Sequence, residues 1–214
     1  MHGIEIDRTD EEREELVKKW ISDYWLTIVV IVLLAMGALY GLKYYRQSKQ
    51  DALHAAGAEL VAVEKALSTK QLKTAVTKTT MLQQTEKDSS FPVVASLSLA
   101  QRYYQEKNYN AAIEQYDWLI QNAGDSAIRD IARLRKARAQ ADANEINQAV
   151  STLSTVEGQR FTTEGNLLKG DILLADGQFE AAKQAYETLK SAAALDPNIL
   201  QQRLDLIQIK QQSQ

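Results

Sequence analysis

The sequence predicts an all-α protein in which a single N-terminal transmembrane helix is followed by an α-solenoid of short helix pairs. Two observations carry this. Residues Tyr24 to Leu42 form nineteen consecutive positions without a charge, closed by Asp23 and Lys43. Beyond Pro92, small and bulky side chains recur at fixed offsets, and the best-preserved copies place Ala112 and Ala182 in equivalent positions 70 residues apart.

Composition agrees with one anchor carrying a water-exposed domain. The chain has 214 residues, a formal net charge of −3 and 25% charged residues. About 170 residues follow the apolar run, enough for one sizeable core. Mild acidity gives no support for nucleic-acid binding. No cysteine is present, which removes disulfide, zinc-thiolate and thiol chemistry.

Residues 1–23 form a charged tail. Thr9 and Glu12 have capping-box spacing, while Glu14 with Lys18 and Glu15 with Lys19 lie four apart, so a short charged helix is expected. The tail is too long and too acidic for the leader of a cleaved signal, and Ala38-Leu39-Tyr40 ends in a bulky ring where a cleavage site needs a small residue. The anchor is expected to stay.

Residues 24–42 are read as the span. At helical rise they cover roughly 30 Å, the hydrocarbon thickness of a bilayer. Trp20, Tyr24 and Trp25 flank one end and Tyr40, Tyr44 and Tyr45 the other, as amphipathic rings do at headgroup depth. The alternative is a buried core helix. Gly37 and Gly41 stand four apart and would let a second membrane helix approach closely. Arg8, Arg13, Lys18 and Lys19 precede the span, and Lys43, Arg46 and Lys49 follow it, so charge leaves the topology open.

Residues 43–90 read as a membrane-proximal segment of two helices. Ala52, Ala55, Ala56, Leu60, Val63 and Leu67 recur at helical spacing. Ser68-Thr69 interrupts the run, and Leu72, Ala75, Val76, Thr79 and Leu82 mark the next stripe. His54 lies in the first of these helices and is expected at the surface or in packing. Polar residues 85–90 and Phe91-Pro92 break the pattern.

Residues 91–214 carry the repeat and a capping helix. In a 34-residue frame from Val93, Leu99, Ala100 and Tyr103 fall at positions 7, 8 and 11, Tyr109 at 17, Ala112 at 20 and Tyr116 at 24. In a frame from Thr163, Gly170 falls at 8, Leu173 at 11, Gly177 at 15, Phe179 at 17, Ala182 at 20, Tyr186 at 24 and Leu189 at 27. Small residues at such offsets let helices cross closely, and large ones fill the space between. The pattern resembles a tetratricopeptide repeat, though Ser96 and Asn166 stand where the consensus has Trp. A degenerate middle unit is expected, with Leu134, Ala137 and Ala141 in its first helix and Ala149, Leu153 and Val156 in its second. Pro197 opens a last helix over 198–210, with Ile199, Leu200, Leu204 and Ile207 on one face, placed to cap the solenoid.

The tetratricopeptide resemblance implies a concave groove lined from the first helix of each pair. Mapped here, the candidate protein-binding residues are Val94, Leu97, Gln101 and Tyr104, then Glu164, Leu167, Asp171 and Leu174. Such a lining suits an extended or helical polypeptide, although in a short array other helices can fill these positions. Arg129, Arg133, Arg135, Lys136 and Arg138 form one dense basic run, read first as a solvated helix face and second as a docking site for an acidic partner. The clamp that some tetratricopeptide domains use on C-terminal carboxylates needs Lys and Asn on successive first helices, and no such set stands out.

Catalysis has no foothold. The sequence has no Gly-rich phosphate loop, no metal-ligand spacing and no nucleophile triad around His2 or His54, so a non-enzyme without cofactor or metal is expected.

The layout as a whole is an acidic tail with TDEEREE, a tryptophan ahead of one span, an alanine-rich helix and a C-terminal tetratricopeptide-like array. It resembles the YfgM family of bacterial inner-membrane proteins over essentially its full length. That resemblance implies an ancillary subunit of the SecYEG translocon with a cytoplasmic N-terminus and a periplasmic repeat domain. It also implies pairing with the membrane-anchored chaperone PpiD and contact with emerging secretory chains. The other reading is a repeat scaffold that bridges cell-envelope or cell-division proteins without handling secreted chains. A repeat domain facing the cytoplasm is the third.

Overall fold

The computed structural model describes residues 10–190 and 196–212, and every regular element among them is an α-helix. The first, α1, runs Asp10–Ser68 without a break, so charged tail, apolar run and the first membrane-proximal helix belong to one continuous element. Thr9 of the expected capping box and His2 lie outside the described residues. Glu14 and Lys18 do pair, at 2.6 Å. Compact packing divides the chain between Ala55 and Ala56, inside α1.

The part of α1 before that division has no core of its own. A buried core helix would hide its apolar side chains, yet Leu34 is 69% exposed and Leu39 68%. None of the apolar window is buried, and this is the one stretch among the described residues long and apolar enough to cross a membrane. Trp20 and Tyr24 contact each other at 5.8 Å between ring centroids. His54 is exposed.

From Ala56 onward the helices form pairs. The end of α1 pairs with α2 (Leu72–Thr85), α3 (Phe91–Gln105) with α4 (Tyr109–Asn122), α5 (Ser126–Asp142) with α6 (Ile146–Leu153), and α7 (Gln159–Ala175) with α8 (Phe179–Glu187). A final helix, α9 (Pro197–Gln212), packs on α8. Pro92 sits in the first turn of α3, where its missing N–H costs nothing, so Phe91-Pro92 starts a helix as well as ending the polar loop.

Three pairs were expected from the sequence, and the structure adds a fourth at the front. Ala56, Val63 and Ala66 of α1 bury against Ala75 and Leu82 of α2 and Ala95 and Leu99 of α3. Glu59 and Lys78 close that pair with an ion pair at 2.6 Å. Burial begins at Ala56, so Ala52 and Ala55, placed on the same stripe by spacing, are exposed.

All four pairs turn in the same way. Each loop has three residues, with the middle one at positive φ: Lys70 (60°), Lys107 (59°), Asn144 (66°) and Gly177 (80°). The next N–H reaches back five residues to a carbonyl, Gln71 to Ala66 (2.8 Å), Asn108 to Tyr103 (2.9 Å), Glu145 to Gln140 (2.8 Å) and Gln178 to Leu173 (2.9 Å). This hydrogen-bonded reversal satisfies the last carbonyls of the outgoing helix. Lysine is costly there, because its Cβ crowds the carbonyl in a left-handed conformation. Lys70→Gly and Lys107→Gly should each stabilise the fold by about 0.5–1 kcal/mol, and Gly177→Ala should destabilise it by about 1 kcal/mol. Thermal unfolding followed by circular dichroism checks this; lower midpoints for the lysine variants would refute the shared turn.

A polar side chain fills one place that the repeat consensus fills with bulk. Ser96 accepts from Gln83 Nε2 at 2.9 Å and donates to the Pro92 carbonyl at 2.7 Å, while Gln83 also donates to Gln115 at 3.1 Å. That network links α2, α3 and α4 where a tryptophan would otherwise pack. In the middle pair, Leu134, Ala137, Ala149 and Leu153 are buried as expected. Val156 is buried too, but it lies beyond the end of α6 and belongs to the connection into α7. In α9, Leu200 and Ile207 are buried and Leu204 packs beside them, whereas Ile199 is 39% exposed because it sits one position off their face.

Candidate protein-binding groove

Side-by-side packing of the first helices of successive pairs leaves two adjoining hollows. One, of about 220 Å³, is lined by Gln101 and Tyr104 of α3, Tyr116 of α4, and Arg135 and Arg138 of α5. The second, of about 390 Å³, runs from α5 to α7 and includes Ile146, Leu168, Asp171 and Ile172. Tyr104 and Arg138 border both, so the two hollows adjoin there and together make up the candidate groove.

The positions expected along it divide sharply. In the first unit Val94 and Gln101 are exposed, and Leu97 and Tyr104 are half-buried against the core of α3, α4 and α5. In the third unit Glu164 is exposed and Leu167 is half-buried. Leu174 is 5% exposed, in a core shared with Leu200 and Ile207 of α9. Asp171 accepts from the Tyr186 hydroxyl at 2.7 Å and pairs with Arg203 of α9 at 2.8 Å. The capping helix therefore takes over the end of the third unit's lining, and Leu174 is core. Gly37 and Gly41 stand in open space, with no atom near where a Cβ would point.

Arg135, Arg138 and Tyr116 are not among the groove positions expected from the repeat frames, although both arginines belong to the basic run whose second reading is a docking site for an acidic partner. The middle unit's degenerate spacing gave no frame from which to map its lining, and Tyr116 reads as core because it is 3% exposed. The basic run separates by partner. Arg129 donates to the carbonyls of Ala123 and Gly124 at 2.8 and 3.0 Å and so covers the end of α4. Arg133 pairs with Asp130 (2.7 Å) and Glu157 (3.2 Å), and Lys136 with Asp117 (2.5 Å). Of these five cations, Arg135 and Arg138 are the two that line the groove.

Titration in the groove follows from its walls. The Tyr104 phenol is pushed up to about 12 by burial and by Asp142, whose carboxylate accepts its hydrogen bond. Burial also raises the Tyr116 phenol, against the opposing pull of Arg135 and Arg138. The arrangement offers hydrogen bonds, two fixed positive charges and apolar walls. Among the described residues no cluster of three His, Cys, Asp or Glu side chains could hold a metal.

Residues 18–213 match the model of a family described as tetratricopeptide repeat-like domain. The chain is 28% identical over 202 residues to an ancillary SecYEG translocon subunit of Aggregatibacter actinomycetemcomitans, covering 92% of this chain and 98% of that protein. It is 25% identical over 199 residues to one of Haemophilus influenzae, covering 91% and 97%, and 25% identical over 184 residues to one of Escherichia coli, covering 86% and 88%. No solved structure matches the chain. Helix pairs, repeated turns and a family match over nearly the whole length agree: the chain belongs to the tetratricopeptide repeat-like family and, with these relatives, to the YfgM family.

Proposed function

We propose that this protein is a non-catalytic, membrane-anchored adaptor that serves as an ancillary subunit of the SecYEG translocon. The observation that carries the reading is the pairing of one exposed apolar helix with a grooved repeat domain, in a chain similar along its length to proteins named for that role. The span lies in the bacterial inner membrane, with a cytoplasmic N-terminus and a periplasmic repeat domain. Gly37 and Gly41, four apart on α1, form the contact face for a neighbouring membrane helix, because two small residues on one face allow close approach. The groove holds the periplasmic chaperone PpiD or emerging secretory chains; of the expected positions Gln101, Tyr104 and Asp171 line its hollows, and Val94, Leu97, Glu164 and Leu167 extend the contact surface on the same helices. Tethering turns a weak groove into an effective one by raising local concentration to about the millimolar range.

Removing residues 1–42 should abolish co-purification with the translocon. Full-yield co-purification of the truncated chain would overturn the reading. Protease protection of the C-terminal domain in intact cells, lost on opening the outer membrane, checks the topology.

A further inference from the structure

We propose that Arg135 and Arg138 form a receptor for the side-chain carboxylates of an acidic polypeptide segment lying in the groove between α3 and α5. The inference deepens the adaptor reading and rests on it.

Of the five cations in the basic run, three are engaged elsewhere in the fold, Arg129 on the α4 carbonyls, Arg133 by Asp130 and Glu157, and Lys136 by Asp117. Arg135 and Arg138 are exposed, one helical turn apart on α5, and neither makes an ion pair among the described residues. They line the same hollow, with Gln101 and the Tyr104 ring on its other side. The nearby Asp142 carboxylate already accepts from Tyr104. Both guanidiniums act on the Tyr116 phenol beside the hollow, so their fields converge there. A guanidinium presents a planar fork of donors that matches a carboxylate, and two forks on one turn suit two acidic side chains on the same face of the bound segment, at alternate positions if it is extended.

The continuation of the groove sets the register. Past Tyr104 and Arg138 the wall becomes apolar, with Ile146, Leu168 and Ile172, and carries Asp142, Asp171 and Asp176. Acidic side chains are therefore favoured in the first hollow, and apolar or basic ones in the second. A basic stretch followed by an apolar and acidic one matches the varied side chains of a polypeptide better than a uniformly anionic lipid surface.

The test uses the full chain in detergent micelles and a labelled peptide, acetyl-Glu-Ala-Glu-Ala-Leu-Ala-Leu-amide, whose Glu and Leu side chains share one face when extended, with its Gln-for-Glu twin. By anisotropy the Glu peptide should bind about tenfold more tightly than the twin, the gain for hydrogen bonds to charged groups. Raising salt from about 0.1 M to about 1 M, which shortens the Debye length from about 10 Å to about 3 Å, should shrink that ratio. The R135Q/R138Q double variant should erase the ratio with no change in thermal midpoint, since both side chains are exposed. Equal binding of the twins by the parent protein overturns the inference. So does tighter binding of a Gln peptide with a free C-terminus, which would mark terminal-carboxylate capture, or binding of anionic vesicles instead of peptide. Failure of the full-length parent chain to co-purify with the translocon would sink the adaptor reading whichever peptide binds; equal binding of the twins by a parent chain that does co-purify sinks this inference alone.

Discussion

Gly170→Ala should destabilise the α7–α8 pair by at least about 2 kcal/mol, against the direction that helix propensity predicts. Alanine in a helix interior is favoured over glycine by about 1 kcal/mol. Here a Cβ would stand 2.3 Å from Cε1 of Tyr186 and 2.6 Å from Cδ1. Tyr186 cannot retreat, because it is fully buried and its hydroxyl donates to Asp171 on the same helix as the glycine. Overpacking wins. Thermal unfolding of the full chain in micelles measures the cost, and Tyr186→Leu in the Gly170→Ala background should recover part of it as a coupling energy. A Gly170→Ala variant as stable as the parent would mean that α7 and α8 do not cross this closely.

Asp130→Ala should cost about 3–5 kcal/mol, the range for removing one partner of a buried ion pair. Asp130 is 1% exposed and fixes the connection from α6 to α7. Its Oδ2 accepts from the Gly158 N–H at 2.8 Å, and its Oδ1 accepts from the Glu157 N–H at 3.2 Å and from Arg133 at 2.7 Å. Burial alone would raise its pKa, but these donors and the Arg133 charge outweigh it and hold the carboxyl below the ordinary 3.8. A depressed folded pKa means that the stabilisation is complete above the unfolded value and is lost as pH falls through the folded one. The parent should therefore lose more stability than Asp130→Asn between about pH 5 and about pH 2. Parallel acid limbs for the two proteins would show that this carboxylate carries no such linkage.

Much of this architecture is legible locally. The charge-free run in α1, the Leu72, Ala75 and Leu82 stripe of α2, and the offset of Gly170 from Tyr186 are periodic signals that one helix or one pair expresses by itself. The turn residue does not separate the front pair from the others, since Lys107 carries no more left-handed signature than Lys70; the front pair differs in that its first helix is the end of α1, continuous with the apolar run. Asp130 passed unremarked because its partners lie 27 and 28 residues ahead. Spacing assigns Leu174 to a concave face, and only the arrival of α9 turns that face into core.

The amino-acid order alone determined that this is a helical protein with one apolar segment of membrane length and tetratricopeptide-like spacing, because these properties depend on side chains within a few turns of one another. Tertiary structure decided which of five neighbouring cations face a groove and which are consumed by the fold. The reason is that an ion pair depends on distance in space, and the carboxylates and carbonyls that engage Arg129, Arg133 and Lys136 come largely from other helices and loops. No such partner reaches Arg135 or Arg138 among the described residues, and two open guanidiniums are left at the groove.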